Sequence, residues 1–114
     1  MNKAEWTTKG ASLSDKSARK EFGLTQNEIE IAIRRGKLKY QQNNMHGNPY
    51  FKLLRAEVEA LVIEMHGKHY LEVRLLQNEL DQINRDIRKT KRQLTTLEKK
   101  KLQLTETLEN ILAS

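Results

Sequence analysis

Apolar residues recur at alternating spacings of three and four from Val73 to Ile111, which is the heptad pattern of a coiled-coil helix. Two positions of this seam are polar, Thr90 and Lys101, and neither Gly nor Pro occurs after Gly67. A single helix of this length would leave its apolar seam in water, so the pattern predicts a partner helix. The expected dimerisation contacts are Leu76, Leu80, Ile83, Ile87, Leu94, Leu97, Leu104, Leu108 and Ile111.

The two polar seam positions favour one orientation of the pair. In a parallel, in-register dimer Lys101 would meet its own copy, which places two ammonium groups in one layer. In an antiparallel dimer with Leu94 opposite the partner's Leu97, Lys101 instead meets the partner's Thr90. The sequence therefore predicts an antiparallel homodimer.

Two short helices are predicted before the seam. Ser14 can cap a helix over residues 15–22, and Gly23 then ends it. The run Thr25-Gln26-Asn27-Glu28 has the spacing of a capping box and opens a second helix that continues to Arg35. Two short helices joined by a tight turn are typical of a helix-turn-helix.

A β-hairpin, or wing, is predicted next. Residues 37–42 alternate polar and apolar, residues 43–48 are turn material, and residues 49–53 return as a second strand, which gives a six-residue tip. Pro49 is acceptable there if the strand lies at a sheet edge. A third helix is expected over residues 55–66.

The predicted fold is mostly α: a winged helix-turn-helix head with a small hairpin, followed by a long coiled-coil helix. We expect a flexible leader over residues 1–11, the head over 12–67 and the dimerisation helix over 68–114. The chain has 114 residues, so only a small core is available to the head.

Composition narrows the possible functions. The chain has no Cys, which excludes disulfides and thiolate metal sites, and it has no apolar run of membrane-spanning length. We therefore expect a soluble, intracellular protein without membrane contact. No catalytic constellation or phosphate-binding glycine loop is visible, so we expect no enzymatic activity and no cofactor. His66 and His69 lack a third ligand, so no metal site is expected.

Basic charge indicates an anionic partner. The formal net charge is +6, and no acid occurs from Ile31 to Ala56. Outward residues of the second helix can contact base edges; the alternative is that this helix is merely structural. The hairpin can bind phosphates; the alternative is an ordinary solvated hairpin. The candidate contacts from these elements are Gln26, Asn27, Arg34, Arg35, Lys37, Lys39, Asn44, His46, Lys52 and Arg55.

A second basic block runs from Arg85 to Lys101, with eight bases against Asp86 and Glu98. It fits either a second nucleic-acid contact or a solvated face of the coil. The sequence leaves both interpretations open.

The head resembles the winged-helix heads of the MerR and phage-excisionase superfamily. The resemblance rests on Arg34-Arg35-Gly36-Lys37-Leu38 and on the run from Leu54 to Leu61, and it covers roughly residues 13–70. It implies a wing-bearing head that binds DNA. Because no further domain follows the coil in this sequence, we expect no small-molecule effector.

A second resemblance is to the C-terminal DNA-binding domain of the XPA repair proteins. It rests on Lys16-Ser17-Ala18-Arg19-Lys20-Glu21-Phe22-Gly23-Leu24, on Asn48-Pro49 and on the helix that ends at Gly67. The XPA proteins also carry a Cys-ligated zinc finger, which this Cys-free chain lacks. The resemblance implies the same chemistry. Lys16 and Arg19 of the first helix are further candidate DNA contacts.

These observations together predict a dimeric protein that binds duplex DNA through its head, as a transcriptional regulator or an accessory factor of recombination or of a mobile element. The alternative is a non-enzymatic protein-interaction or scaffold module whose coil docks on a larger assembly.

Overall fold

The computed structural model describes residues 3–114 and is mostly helical, with a small antiparallel sheet and a long C-terminal helix. The chain forms two compact units, one ending at Asn78 and one over Glu79–Ser114. The elements in chain order are α1 (Lys3–Thr7), β1 (Ser12–Ser14), α2 (Asp15–Phe22), α3 (Gln26–Arg34), β2 (Tyr40–Met45), β3 (Asn48–Leu54), α4 (Arg55–His66) and α5 (Lys68–Ala113).

The predicted starts of α2 and α3 are confirmed by their caps. The Ser14 hydroxyl accepts the Ser17 N–H at 3.0 Å, and Gly23 follows α2 in the left-handed conformation, with φ 71°. At α3 the capping box is complete: the Glu28 N–H donates to the Thr25 hydroxyl at 3.1 Å, and the Thr25 N–H donates to the Glu28 carboxylate at 2.8 Å. These contacts satisfy backbone donors that a helix start would otherwise leave without partners.

Helix α3 ends in a Schellman motif, one residue before the predicted end at Arg35. Gly36 has φ 75°, its N–H donates to the Ile33 carbonyl, and the Lys37 N–H donates to the Ala32 carbonyl. Glycine reaches this conformation without the strain of a Cβ, so the chain turns sharply away from the helix.

The hairpin differs from its prediction. Its strands pair from Tyr40 with Leu53 to Met45 with Asn48, so the tip is a two-residue turn rather than six residues. His46 and Gly47 both have positive φ, 52° and 83°, as a type I′ hairpin turn requires. The prediction failed because turn-forming Asn residues can also pair across strands once a tight turn sets the register.

A third strand, β1, was not predicted. It pairs with β3 through Ser12–Leu54, Leu13–Leu53 and Ser14–Lys52, which makes β3 the central strand. Pro49 is compatible with this position because β1 reaches only as far as Lys52, so β3 has a single neighbour at Pro49.

One hydrophobic core joins the helices and the sheet of the first unit. Its fully buried large side chains are Phe22 from α2, Ile29 from α3, Leu53 from β3, and Val58 and Val62 from α4. Val58 and Val62 are four positions apart and therefore lie on the same side of α4.

The leader expected over residues 1–11 contains helix α1, which packs beside β1, although residues 1–2 lie outside the part that the structure describes. The side chain of Trp6 is buried, with 5% of its surface exposed. The Trp6 side chain thus anchors a segment without periodicity, since an indole ring can bury a large apolar area.

The first compact unit extends past the predicted boundary at Gly67 and includes the first turns of α5. Leu71 is buried in the core, and the Tyr70 hydroxyl donates to the Phe22 carbonyl at 3.2 Å. Arg74 Nε and the Asn78 side-chain amide both donate to the Glu21 carbonyl at 2.8 Å. These donors cap the C-terminal carbonyls of α2, a contact between residues more than 45 positions apart, and so join the first turns of α5 to the first unit.

In the second unit the apolar seam is exposed. The side chains from Leu80 to Ile111 that form the seam are exposed by 45% at Ile87 to 71% at Leu104. Leu76, the first predicted dimerisation contact, belongs to the first unit and is also exposed.

We predict that Trp6→Ala lowers the free energy of unfolding by about 3 kcal/mol, because a buried indole leaves a cavity. This loss is at the low end for a buried Trp, since the indole N–H has no acceptor among the residues that the structure describes. Urea unfolding monitored by circular dichroism measures the change. Met45→Ala, at an exposed position, is the control and should cost under about 0.5 kcal/mol. A stability of Trp6→Ala equal to that of the control would mean that the leader is not anchored.

Candidate nucleic-acid interface

A groove of about 570 Å³ lies between the N-terminal part of α2 and the hairpin. Four of the predicted DNA contacts line it, Lys16 and Arg19 from α2 and His46 and Lys52 from the hairpin. These residues are up to 36 positions apart in sequence, and the fold brings them to one surface. The remaining lining residues are Ser12, Leu13, Ser14, Asp15, Met45, Asn48, Pro49 and Tyr50.

Local structure explains why these side chains meet. Lys16 and Arg19 are three apart and therefore share a face of α2. On the hairpin, Asn48, Tyr50 and Lys52 alternate along β3 and so project from one side of the sheet. Strand β1 runs from the sheet directly into α2, which fixes the helix beside Lys52 through the pairing of Ser14 with Lys52.

The groove is cationic, with one acid that is already engaged. Its two Lys and one Arg face solvent or are half-buried, whereas Asp15 is 9% exposed. The Asp15 carboxylate accepts the Lys16 N–H at 3.0 Å and the Gln26 side-chain amide at 3.1 Å. Two donors thus stabilise this carboxylate locally, and three mobile cations remain with hydroxyl and amide groups of Ser12, Asn48 and Tyr50. This is the donor set that binds phosphate oxygens.

The predicted base-reading residues of α3 have different surroundings. The Gln26 side-chain amide donates to Asp15, so this side chain supports the start of α2. Its Oε1 atom is buried with no hydrogen-bond partner in the described part of the chain. Asn27 is exposed, and Arg34 is exposed with its Nε donating to the Glu30 carbonyl at 3.4 Å. Of the three, Asn27 and Arg34 remain accessible to a ligand.

The cations that follow α3 are mostly paired with acids. Lys37 forms an ion pair with Glu64, and Lys39 lies 3.9 Å from Glu57 and 3.7 Å from Glu5. Arg35 is exposed and lines a shallow cleft with Lys37 between α3 and α4. Both lysine side chains are themselves exposed, by 38% at Lys37 and 55% at Lys39, so these ion pairs contribute little to stability.

Arg55 is not the exposed cation that was expected. Its guanidinium bonds Glu21 through two nitrogens, at 2.7 and 3.4 Å, and its Nε donates to the Gly10 carbonyl at 3.2 Å. The hydrogen bond to Glu21 raises the pKa of Arg55 above its ordinary value despite partial burial. The acid that captures Arg55 lies 34 positions away, so the charge pattern around residue 55 gave no sign of it.

Two Asn residues that the sequence placed at the tip are within the strands. Asn44 pairs with Pro49 and Asn48 pairs with Met45, and of the three candidate contacts Asn44, His46 and Asn48 only His46 lies in the turn. The prediction missed the contribution of Ser12, Ser14 and Tyr50 to the groove. Apolar Leu13 between two serines is the one sequence signal for β1, and three residues are too few to carry a pattern.

Comparison with protein-family models, with curated proteins and with solved structures finds no significant match. Within residues 3–114, no helix combines the length and apolar character needed to cross a bilayer. The same residues contain no group of three or more His, Asp or Glu side chains placed to hold a metal ion.

We predict that Arg55 and Glu21 are energetically coupled. In a double-mutant cycle with Arg55→Gln and Glu21→Gln, the coupling should be about 1 kcal/mol, because the contact is bidentate but about one-third exposed. The Lys39–Glu57 pair, whose charged atoms lie 3.9 Å apart, is the control, with expected coupling below about 0.5 kcal/mol. Equal couplings for both pairs would mean that the Arg55 contact has no structural importance.

Proposed function

We propose that this chain binds duplex DNA through the sugar–phosphate backbone, and that α2, α3 and the β2–β3 hairpin act as a winged helix-turn-helix. The observation that carries the proposal is the convergence of Lys16, Arg19 and Lys52 on one groove beside the hairpin turn. Arg34 and Arg35 add exposed charge at the end of α3. The resemblance to MerR-like and XPA-like heads supports the same interpretation.

The arrangement favours backbone contacts over base reading. Of the residues that the sequence nominated for bases, Gln26 is bonded to Asp15, and Glu30 on the exposed face of α3 would repel phosphates. Lysine and arginine side chains with neighbouring hydroxyls position a protein on DNA without selecting sequence. The proposed activity is therefore duplex binding with a steep salt dependence and limited sequence preference.

The groove is tested by Lys16→Gln, Arg19→Gln and Lys52→Gln together. If each of the three cations neutralises one phosphate, the slope of log affinity against log salt should fall by about 2.7 per chain, at about 0.9 for each phosphate. Fluorescence anisotropy with a random duplex at several salt concentrations gives the slope.

The matched control removes the same charge from exposed positions that do not line the groove, Lys9→Gln, Lys20→Gln and Lys68→Gln. It should retain most of the slope. Equal reductions of the salt slope in both triple variants would mean that binding depends only on net charge, and would contradict a specific role for the groove.

We further propose that the second unit pairs with a copy of itself in antiparallel orientation. The proposal rests on the exposed seam and on its polar positions. With Leu94 opposite the partner's Leu97, the same register joins Leu80 to the partner's Ile111 and Lys101 to the partner's Thr90. Lys91 then lies near the partner's Glu98. Apolar layers face apolar layers, and each seam Leu or Ile that becomes buried contributes about 2 kcal/mol.

Introduced thiols test the orientation, because the chain has no Cys. We expect an equimolar mixture of Leu80→Cys and Ile111→Cys chains to form the mixed disulfide under mild oxidation, since these positions meet in the antiparallel register. Leu80→Cys alone is the control and should not crosslink within a dimer. Efficient crosslinking of Leu80→Cys alone would mean a parallel coil, and a monomer without crosslinks in any mixture would favour the alternative of a module that docks on another protein.

A further inference from the structure

The basic block of the second unit has a one-sided distribution. At 100° per residue, Arg85, Arg88, Lys89, Arg92 and Lys99 fall within an arc of about 100° on helix α5. Positions 80, 83, 87 and 94 of the seam lie on the opposite side of the same helix. We call these five side chains the α5 stripe. The spacing i, i+3, i+4, i+7 aligns the first four residues along one face.

The stripe is free of acids along its length. Asp86 and Glu98, the two acids in this part of the chain, project away from the arc, and Asp81 and Glu106 lie on the arc only beyond its two ends. Every stripe residue is exposed. The Arg85 guanidinium donates to the neutral Gln82 side chain at 2.6 Å, a contact that leaves its positive charge in place.

A coiled coil with either orientation leaves this face open, because seam pairing covers the opposite side of the helix. Mutual repulsion among five cations on one face destabilises a helix, so a solvated coil would do better with acids interspersed at i and i+4. The concentration of like charge on the open face therefore indicates an anionic ligand.

We propose that the α5 stripe is a second binding site for the phosphate backbone of duplex DNA, separate from the groove of the first unit. This deepens the proposed function and rests on it, since DNA is taken as the ligand of both sites. The stripe is about 21 Å long from Arg85 to Lys99, and a duplex carries about one charge per 1.7 Å of its axis, so phosphates are available to each cation.

The chemistry of the stripe favours DNA over other polyanions. Between Arg85 and Lys99 the arc holds no aromatic or aliphatic side chain that would insert into a membrane surface. Protein interfaces bury aromatic and apolar residues at their centre and are depleted in lysine, which is also unlike this face. Three of the five stripe residues are arginines, whose planar guanidinium groups bond phosphate oxygens through two nitrogens.

The test compares two pairs of substitutions that remove the same charge from the same helix. Arg88→Gln with Arg92→Gln removes two stripe cations, and Lys91→Gln with Lys100→Gln removes two cations that lie outside both the stripe and the seam. Gln has nearly the helix propensity of Lys and Arg, so helicity by circular dichroism should be unchanged in both. Each pair is introduced into the full chain and into the Lys16→Gln, Arg19→Gln, Lys52→Gln variant, and sedimentation confirms that the oligomeric state is the same.

Binding to a random duplex is measured at several salt concentrations. In the full chain, we expect the stripe pair to lower the salt slope by about 1.8 per chain and the off-stripe pair to lower it by much less. In the groove variant, the stripe pair should remove most of the binding that remains. Equal effects of the two pairs, or no effect of the stripe pair, would overturn the proposal that the α5 stripe binds DNA.

The outcomes separate the two sites. A reduced slope in the groove variant alone would leave the proposed function standing and refute the stripe. A reduced slope with the stripe pair alone would support DNA binding by the α5 stripe and refute DNA binding by the groove. If the unaltered chain does not bind the duplex, both proposals are contradicted. Binding of an acidic polypeptide, poly-glutamate, with the same affinity and the same sensitivity to the stripe pair would refute a DNA site in favour of a general polyanion surface.

Discussion

An uncovered apolar seam constrains this molecule more than any other feature. From Leu80 to Ile111 the second unit offers one Leu or Ile in most turns, and these side chains are exposed. The free energy of leaving such a face in water is large compared with the marginal stability of a small domain. The proposed pairing through this seam would remove that cost and would leave the opposite face of the helix open to a ligand.

The first unit depends on the same helix in a different way. Tyr70, Arg74 and Asn78 of α5 donate to carbonyls at the end of α2, and Leu71 completes the core. Gly23 lies next to this contact. A Cβ at this position would be 3.1 Å from the Tyr70 hydroxyl oxygen, so a larger residue would crowd it. The helix that carries the groove residues Lys16 and Arg19 is thus held at its far end by the helix that carries the seam.

Sequence predicted those parts of the fold whose causes are local. The caps at Ser14 and Thr25 and the stop at Gly36 involve residues within five positions of each other, and all three are observed. Strand β1, the pairing of Arg55 with Glu21 and the anchoring of Trp6 depend on residues brought together by the tertiary fold, and no periodic pattern marks them. The same division applies to the groove: the charges of Lys16, Arg19 and Lys52 could be predicted individually, but their convergence required the register between β1 and β3.

The measurement that tests the central claim most directly is sedimentation equilibrium of the unaltered chain over a range of concentrations and at moderate salt. The pairing of the seam predicts a species of twice the 13.4 kDa chain mass, with the monomer present only on strong dilution. A single species of 13.4 kDa at micromolar concentration would contradict it, because the seam would then remain in water and the dimeric account of the molecule would fail.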